Sequence, residues 1–212
     1  MPTAVTALPS LFEQAERLIE LGVHDLAGLS AGRLRKVQGH AGSLLVIHPT
    51  LAPASALAPL LRLNDKPGFV VTDMTDVDEF VPISSATVSD SPLYVVNDPD
   101  RGDAMANWSP DEALPAITDA GRTPLTLTEG LHWLLQRPET LQRGRCFMTI
   151  ASRRHKPDGS LDTRTPGVWI SNGTGRDGPA NRNAPKVGWC WAGNRHTWLG
   201  FASAGGRFTV GE

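Results

Sequence analysis

The stretch PKVGWCWAGNRHTWLG, residues 185–200, gathers three of the chain's six tryptophans, one of its two cysteines, and His196. Two kinds of chemistry suit such a set. A thiol beside an imidazole makes an activated nucleophile. An aromatic wall with one histidine holds a small organic molecule and moves a proton on it. The spacing chooses between them. Gly193-Asn194 fits a two-residue hairpin turn between KVGWCWA and HTWLGFAS. That register pairs Trp189 with Trp198 and Trp191 with His196. Side chains alternate across a sheet, so Trp189, Trp191, His196 and Trp198 should share one face. Cys190, Thr197 and Leu199 should lie on the other, which disfavours a Cys–His dyad. Core packing is the competing reading of the aromatic face, because cross-strand aromatic pairs stabilise sheets by themselves. Three indole N–H groups beside a titratable imidazole argue instead for a pocket.

Partners for that histidine are expected in DPDRGDAMANW, residues 98–108, which follows the β-rich run PLYVVND. Polar loops at strand ends are favoured places for sites. His196 reads as the general acid or base, with Asp98, Asp100 or Arg101 polarising the substrate. Trp189, Trp191, Trp198, Asn194, Asn107, Trp108, Trp169 and Arg153 complete the expected ligand-binding set. The plainer reading of the 98–108 loop is a turn leading into a helix, with Arg101 neutralising nearby carboxylates.

Other motifs carry less. TDMTDVDEF, residues 72–80, clusters Asp73, Asp76, Asp78 and Glu79 but lacks the glycine and terminal glutamate of an EF-hand loop. Capping and solvation explain these carboxylates better. NGTGRDG, residues 172–178, satisfies G-x-G-x-x-G, yet PANRNAPK behind it makes a poor helix, so a dinucleotide site is rejected. The six histidines form no zinc-binding spacing. His132 within TEGLHWLLQ reads as a helix-face residue. No metal and no cofactor are expected.

These groups need a frame to hold them. The chain has 212 residues, 40% hydrophobic and 20% charged, with a net charge of −2. That balance suits a folded domain and excludes the basic face of a nucleic-acid module. No membrane-binding polybasic run and no signal peptide are read, so a soluble cytosolic protein is expected. Cys146 and Cys190 are too few for a disulfide framework. Helix starts are marked by capping boxes: Ser10 with Glu13, Ser109 and Pro110 with Glu112, and Thr126 with Glu129. Ser30 begins a further short helix, and Gly22 ends the first. GSLLVIHP, GFVVTDM and PLYVVND read as strands, followed by RCFMTIASR, GVWIS, KVGWCWA and HTWLGFAS. The expected architecture is one α+β domain over 1–212. Its helical first two thirds, 1–143, carry a few strands and pack on a mainly antiparallel sheet in 144–212. Two long loops, 154–165 and 172–184, read as insertions or lids.

Several blocks resemble a bacterial family of unknown function, DUF5701. They are LAGLS at 26–30, KPGFVVTDMTDVDEFVPI at 66–83, DRGDAMANWSPDEA at 100–113, GRTPLTLTEG at 121–130, PGVWIS at 166–171 and PKVGWCWAGNRHTWLGFAS at 185–203. They run in order over most of the chain. The resemblance implies no activity and no catalytic residue, and the chain departs from the family pattern by longer insertions at 154–165 and 172–184. Function therefore rests on the residues themselves. The reading they support is metal-independent acid/base chemistry on a small organic molecule, of isomerase, cyclase, lyase or hydrolase type. A module that only binds a small molecule or another protein is the alternative.

Overall fold

The computed structural model describes residues 7–210. The capping boxes mark real helix starts. Ser10 opens α1 (Leu11–Glu20), Ser109 opens α5 (Pro110–Asp119) and Thr126 opens α6 (Leu127–Gln136), each with the reciprocal glutamate bond in place. Gly22 follows α1 in the left-handed conformation and leads into α2 (Val23–Leu26). Ser30 caps α3 (Ala31–Arg35). TLAPASALAPLLRL yields only α4 (Ala54–Leu57) and a single 3-10 turn, because Pro53 and Pro59 interrupt it.

Two sheets organise the rest. The first contains β1 (Leu44–Ile47), β3 (Leu93–Asn97) and β8 (Gly206–Thr209), antiparallel and in the order β1-β3-β8. The second contains β2 (Phe69–Val70), β4 (Cys146–Met148), β5 (Arg164–Ile170), β6 (Pro185–Trp191) and β7 (Leu199–Phe201), in the order β7-β4-β5-β6-β2. Three two-residue pairings, such as 81–82 with 152–153, form separate small sheets.

The expected division into a helical first part and an antiparallel C-terminal sheet is overturned. Helix takes 31% and strand 25% of this mixed α/β protein, so neither dominates. β1, β2 and β3 come from the stretch read as helix-rich, and both sheets draw strands from early and late in the chain. The second sheet is mixed: β7 runs parallel to β4 and β2 parallel to β6.

The expected hairpin is also overturned. A strand has two edges, and β6 spends one on β5 and the other on β2. HTWLGFAS must pair elsewhere: Leu199–Phe201 runs along β4, and Ser203 pairs with Pro124. Residues 192–198 form a looped connection instead, held by Ala192 N–H to the Thr163 carbonyl and Asp111 N–H to the Ala192 carbonyl.

Helix α6 sits at the centre, with all ten residues buried. Gly130 lets it approach β4: a Cβ there would stand 2.8 Å from Thr149 Cγ2 and 3.1 Å from Phe147 Cε2. His132, fully buried, joins α6 to β1. Its Nδ1–H donates to the Thr128 carbonyl (2.9 Å) and its Nε2 accepts from Ile47 N–H (3.2 Å). Burial pushes its pKa down to about 4, so it stays neutral. At the start of α6, buried Glu129 takes a bidentate pair from Arg207 of β8 (2.5 and 2.8 Å) and a bond from Tyr94 Oη of β3 (3.0 Å). Burial pushes the Tyr94 hydroxyl well up, so it remains a donor. No helix among the described residues is long and apolar enough to cross a membrane.

Candidate functional site

An apolar-walled cleft lies over the C-terminal end of β1, not on the tryptophan strand. Its volume is about 460 Å³, within the range of small-molecule sites. Val77, Phe80, Ile83, Val88 and Leu127 give it apolar walls, and His48, Asp78, Asp90, Ser84, Thr87 and Thr128 bring polar groups. β1 ends at Ile47, Pro49 stops the strand, and His48 is left half-buried at its tip.

His48 is held from one side only. Thr50 N–H donates to Nδ1 (3.3 Å), and the Thr50 hydroxyl stands 2.7 Å from the same nitrogen. No hydrogen bond among the described residues engages Nε2. A hydroxyl both donates and accepts, so it serves either ring tautomer. With Nδ1 accepting, as the bond from Thr50 N–H requires, Nε2–H is a hydrogen-bond donor; with Nδ1–H turned to the Thr50 hydroxyl and that backbone bond given up, Nε2 is a base. Burial lowers the His48 pKa, and the nearby Asp90 carboxylate partly opposes that shift. The ring is therefore neutral at physiological pH and able to take a proton. Thr87 on the rim sits at φ 35°, ψ 67°. A β-branched residue there is strained, and such strain concentrates at functional positions.

The residues singled out from sequence are placed differently. His196 is half-buried and stacks on Trp198, with ring centroids 4.5 Å apart and 14° between planes. Arg101 is buried and committed to the Thr140 carbonyl (2.7 Å) and Asp103 (3.2 Å). Asp98 pairs with Arg122 (2.7 Å), and Asp100 accepts from Gly102 N–H (2.6 Å) while its backbone bridges Ser203. His196 shares no hydrogen bond with any of the three, so the expected catalytic group is not assembled. Arg153 is buried and donates to the Asp162 carbonyl (2.7 Å).

Only half of the expected aromatic face forms: Trp189 and Trp191 share a face of β6, while Trp198 and His196 stack on each other in the loop that follows. Trp189 packs edge-on to Trp191 at 4.6 Å and leans on the main core, while Trp191 is exposed. Asn107 and Trp108 line an open depression of about 560 Å³ with Glu112 and Arg195, which are themselves ion-paired. Asn194 is exposed and donates its N–H to the Trp191 carbonyl. Trp169 and Trp198 meet across a smaller slot. Cys190 packs against the second core cluster, where burial pushes its thiol up and makes it a poor nucleophile.

The four carboxylates of TDMTDVDEF are all engaged. Asp73 pairs with Arg176, and Asp76 with Arg164 and Arg154. Asp78 takes both N–H and hydroxyl of Ser55, and Glu79 pairs with Arg154. The two long loops are likewise anchored. Asp162 and Arg164 join Asp76, and buried Asp177 pairs with Lys186 (2.5 Å) and Ser171 (2.6 Å).

A model described as a family of unknown function matches residues 17–210. The chain belongs to the DUF5701 family. No curated protein and no solved structure matches it. Two of the blocks that carry the DUF5701 resemblance also furnish the His48 cleft: 66–83 supplies Val77 to Ile83, and 121–130 supplies Leu127 and Thr128. The sequence held a signal for this cleft in IHPT, a strand tip with a histidine before a proline. The strand-end rule that drew attention to 98–108 applies equally to 47–50.

Proposed function

We propose that the protein binds a small, mainly apolar organic molecule in the cleft over β1 and moves a proton on it, with His48 as acid or base. The observation that carries this reading is His48 itself. It is an imidazole of lowered pKa in an apolar-walled cleft, steadied through Nδ1 by an amphoteric hydroxyl, with Nε2 left for an occupant. A lowered imidazole pKa matches general-base work at neutral pH. The reaction type stays within cofactor-independent isomerisation, cyclisation, elimination or hydrolysis. The cytosol is the matching compartment, where the free thiols Cys146 and Cys190 would stay reduced.

The test is a fragment and metabolite screen read by methyl NMR of Val77, Ile83 and Val88, followed by turnover assays on each hit. We expect saturable shifts at these methyls and turnover that falls roughly 100-fold or more in His48→Gln. Binding that is retained with no turnover in either protein would favour the alternative, a module that only binds. If these methyls stay still with every compound, the cleft is not the site.

A further inference from the structure

A second concavity is lined by chemistry opposite to that of the His48 cleft. We propose that the slot between Trp169 and Trp198 binds a planar aromatic anion, its ring against the indoles and its anionic group on Arg145. The slot encloses about 370 Å³ and is lined by Gly144, Arg145, Trp169, Ile170, Asn172 and Trp198.

Both indoles are held before any ligand arrives. Trp169, on β5, lies over Gly188 of the neighbouring β6. A Cβ at 188 would stand 2.6 Å from Trp169 Cη2, so only glycine lets the ring lie this close to the sheet. Lys186 Nζ stands 5.0 Å from the Trp169 ring centroid, and the buried Asp177 pair fixes that lysine in turn. Trp198 is half exposed, but its indole is steadied by the stacked His196 ring. This gives His196 a positioning role in place of the catalytic one expected from sequence. Stacked aromatic surfaces fixed in advance bind flat rings without ordering flexible side chains.

Charge supplies the other half of the argument. No carboxylate lines the slot. Arg145 is exposed and makes no side-chain hydrogen bond or ion pair among the described residues. The adjacent Arg143 bonds only neutral amides, of Asn172 (3.3 Å) and Asn183. Most other arginines described are matched to carboxylates, including Arg122, Arg154, Arg164, Arg176, Arg195 and Arg207. An unmatched guanidinium at the mouth of an aromatic slot fits the carboxylate or phosphate of a flat ligand.

The experiment titrates the full chain with 2-naphthoate, with 2-naphthyl phosphate, and with the neutral 2-naphthylmethanol, following the six indole N–H signals. We expect at least one of the two anions to shift the Trp169 and Trp198 signals saturably and to leave Trp133 unmoved. The alcohol should bind about tenfold to a hundredfold more weakly, and Arg145→Gln should weaken anion binding by the same factor. Arg145 is exposed, so that variant should fold, and unchanged indole signals without ligand verify it. The choice between carboxylate and phosphate follows from which anion binds more tightly. Equal binding of anion and alcohol, an unaffected Arg145→Gln, or shifts confined to Trp108 and Trp191 would each overturn the proposal. The His48 cleft is read by its own methyl signals, so either site can fail without the other.

Discussion

The His48 cleft and the Trp169–Trp198 slot are lined by opposite chemistry. The cleft has two carboxylates, Asp78 and Asp90, a neutral imidazole, and no lysine or arginine. The slot has an unmatched arginine, an amide and no acid. The cleft is built where a β-strand tip meets the start of a fully buried helix. The slot is built where the end of β5 meets the loops around Arg145 and Trp198. In a chain of net charge −2, the sign at each place is decided by which ionised groups find partners. Arg154 and Arg164 absorb the carboxylates around Asp76 and Asp162, and Arg143 and Arg145 are left with neutral neighbours. Local pairing, rather than overall composition, sets what each concavity can accept.

If the two regions are energetically separate, removing the support of one should spare the other. The largest effect is expected from Arg207→Ala. It leaves Glu129 as an unpaired buried charge, which costs about 3–5 kcal/mol. Arg207 also donates to the Ala86 carbonyl (2.5 Å), in the turn that carries Ser84 and Thr87 of the cleft rim. Urea denaturation should show the loss, and hydrogen exchange should rise around 84–88 and 126–130 before it rises in β5 and β6. Simultaneous exchange in both regions would make them one cooperative unit and break the comparison.

A smaller effect attaches to His132. Its folded pKa of about 4 lies below the ordinary value of 6.5, so the unfolded chain takes up the proton first. The stability it contributes is complete above pH 6.5 and is lost as pH falls towards 4. The loss should approach about 3 kcal/mol over that window, at 1.36 kcal/mol per unit. Because His132 ties Ile47 to Thr128, acid should loosen the cleft before the slot. Urea midpoints measured across this range should slope in wild type, and a flatter slope in His132→Gln would tie the effect to this ring.

The smallest effect sharpens the comparison. Thr87→Gly removes a left-handed β-branched residue from the cleft rim and should stabilise the fold by about 1 kcal/mol. A thermal melt gives the sign. A lower melting temperature would mean that the rim is relaxed as built, and that strain does not distinguish the cleft from the slot.

The sequence was legible where the physics is local. Ser10, Ser109 and Thr126 announced their helices because a capping box is a bond between residues three apart. It misled where partners are chosen at a distance. Gly193-Asn194 looks like a hairpin turn, but β6 has both edges occupied, by β5 before it and by the distant β2, so the segment after it finds no edge there to pair with. One misplaced pairing put Trp189, Trp191, His196 and Trp198 on a common face and gave His196 a catalytic role. Glu129 was read as a cap, which it is. Nothing near it in the sequence signals that Arg207 completes it.

That ion pair also orders the making of the molecule. Chains emerge from the ribosome N-terminal end first. β1 and β3 can pair as soon as both are synthesised, but Glu129 must wait for a partner 78 residues further on. A nascent chain that buried α6 earlier would enclose an uncompensated carboxylate, so the helix start should stay hydrated until β8 arrives. Arg207 thus acts as a late latch, and the interior around α6 should become dry only once that strand is in place.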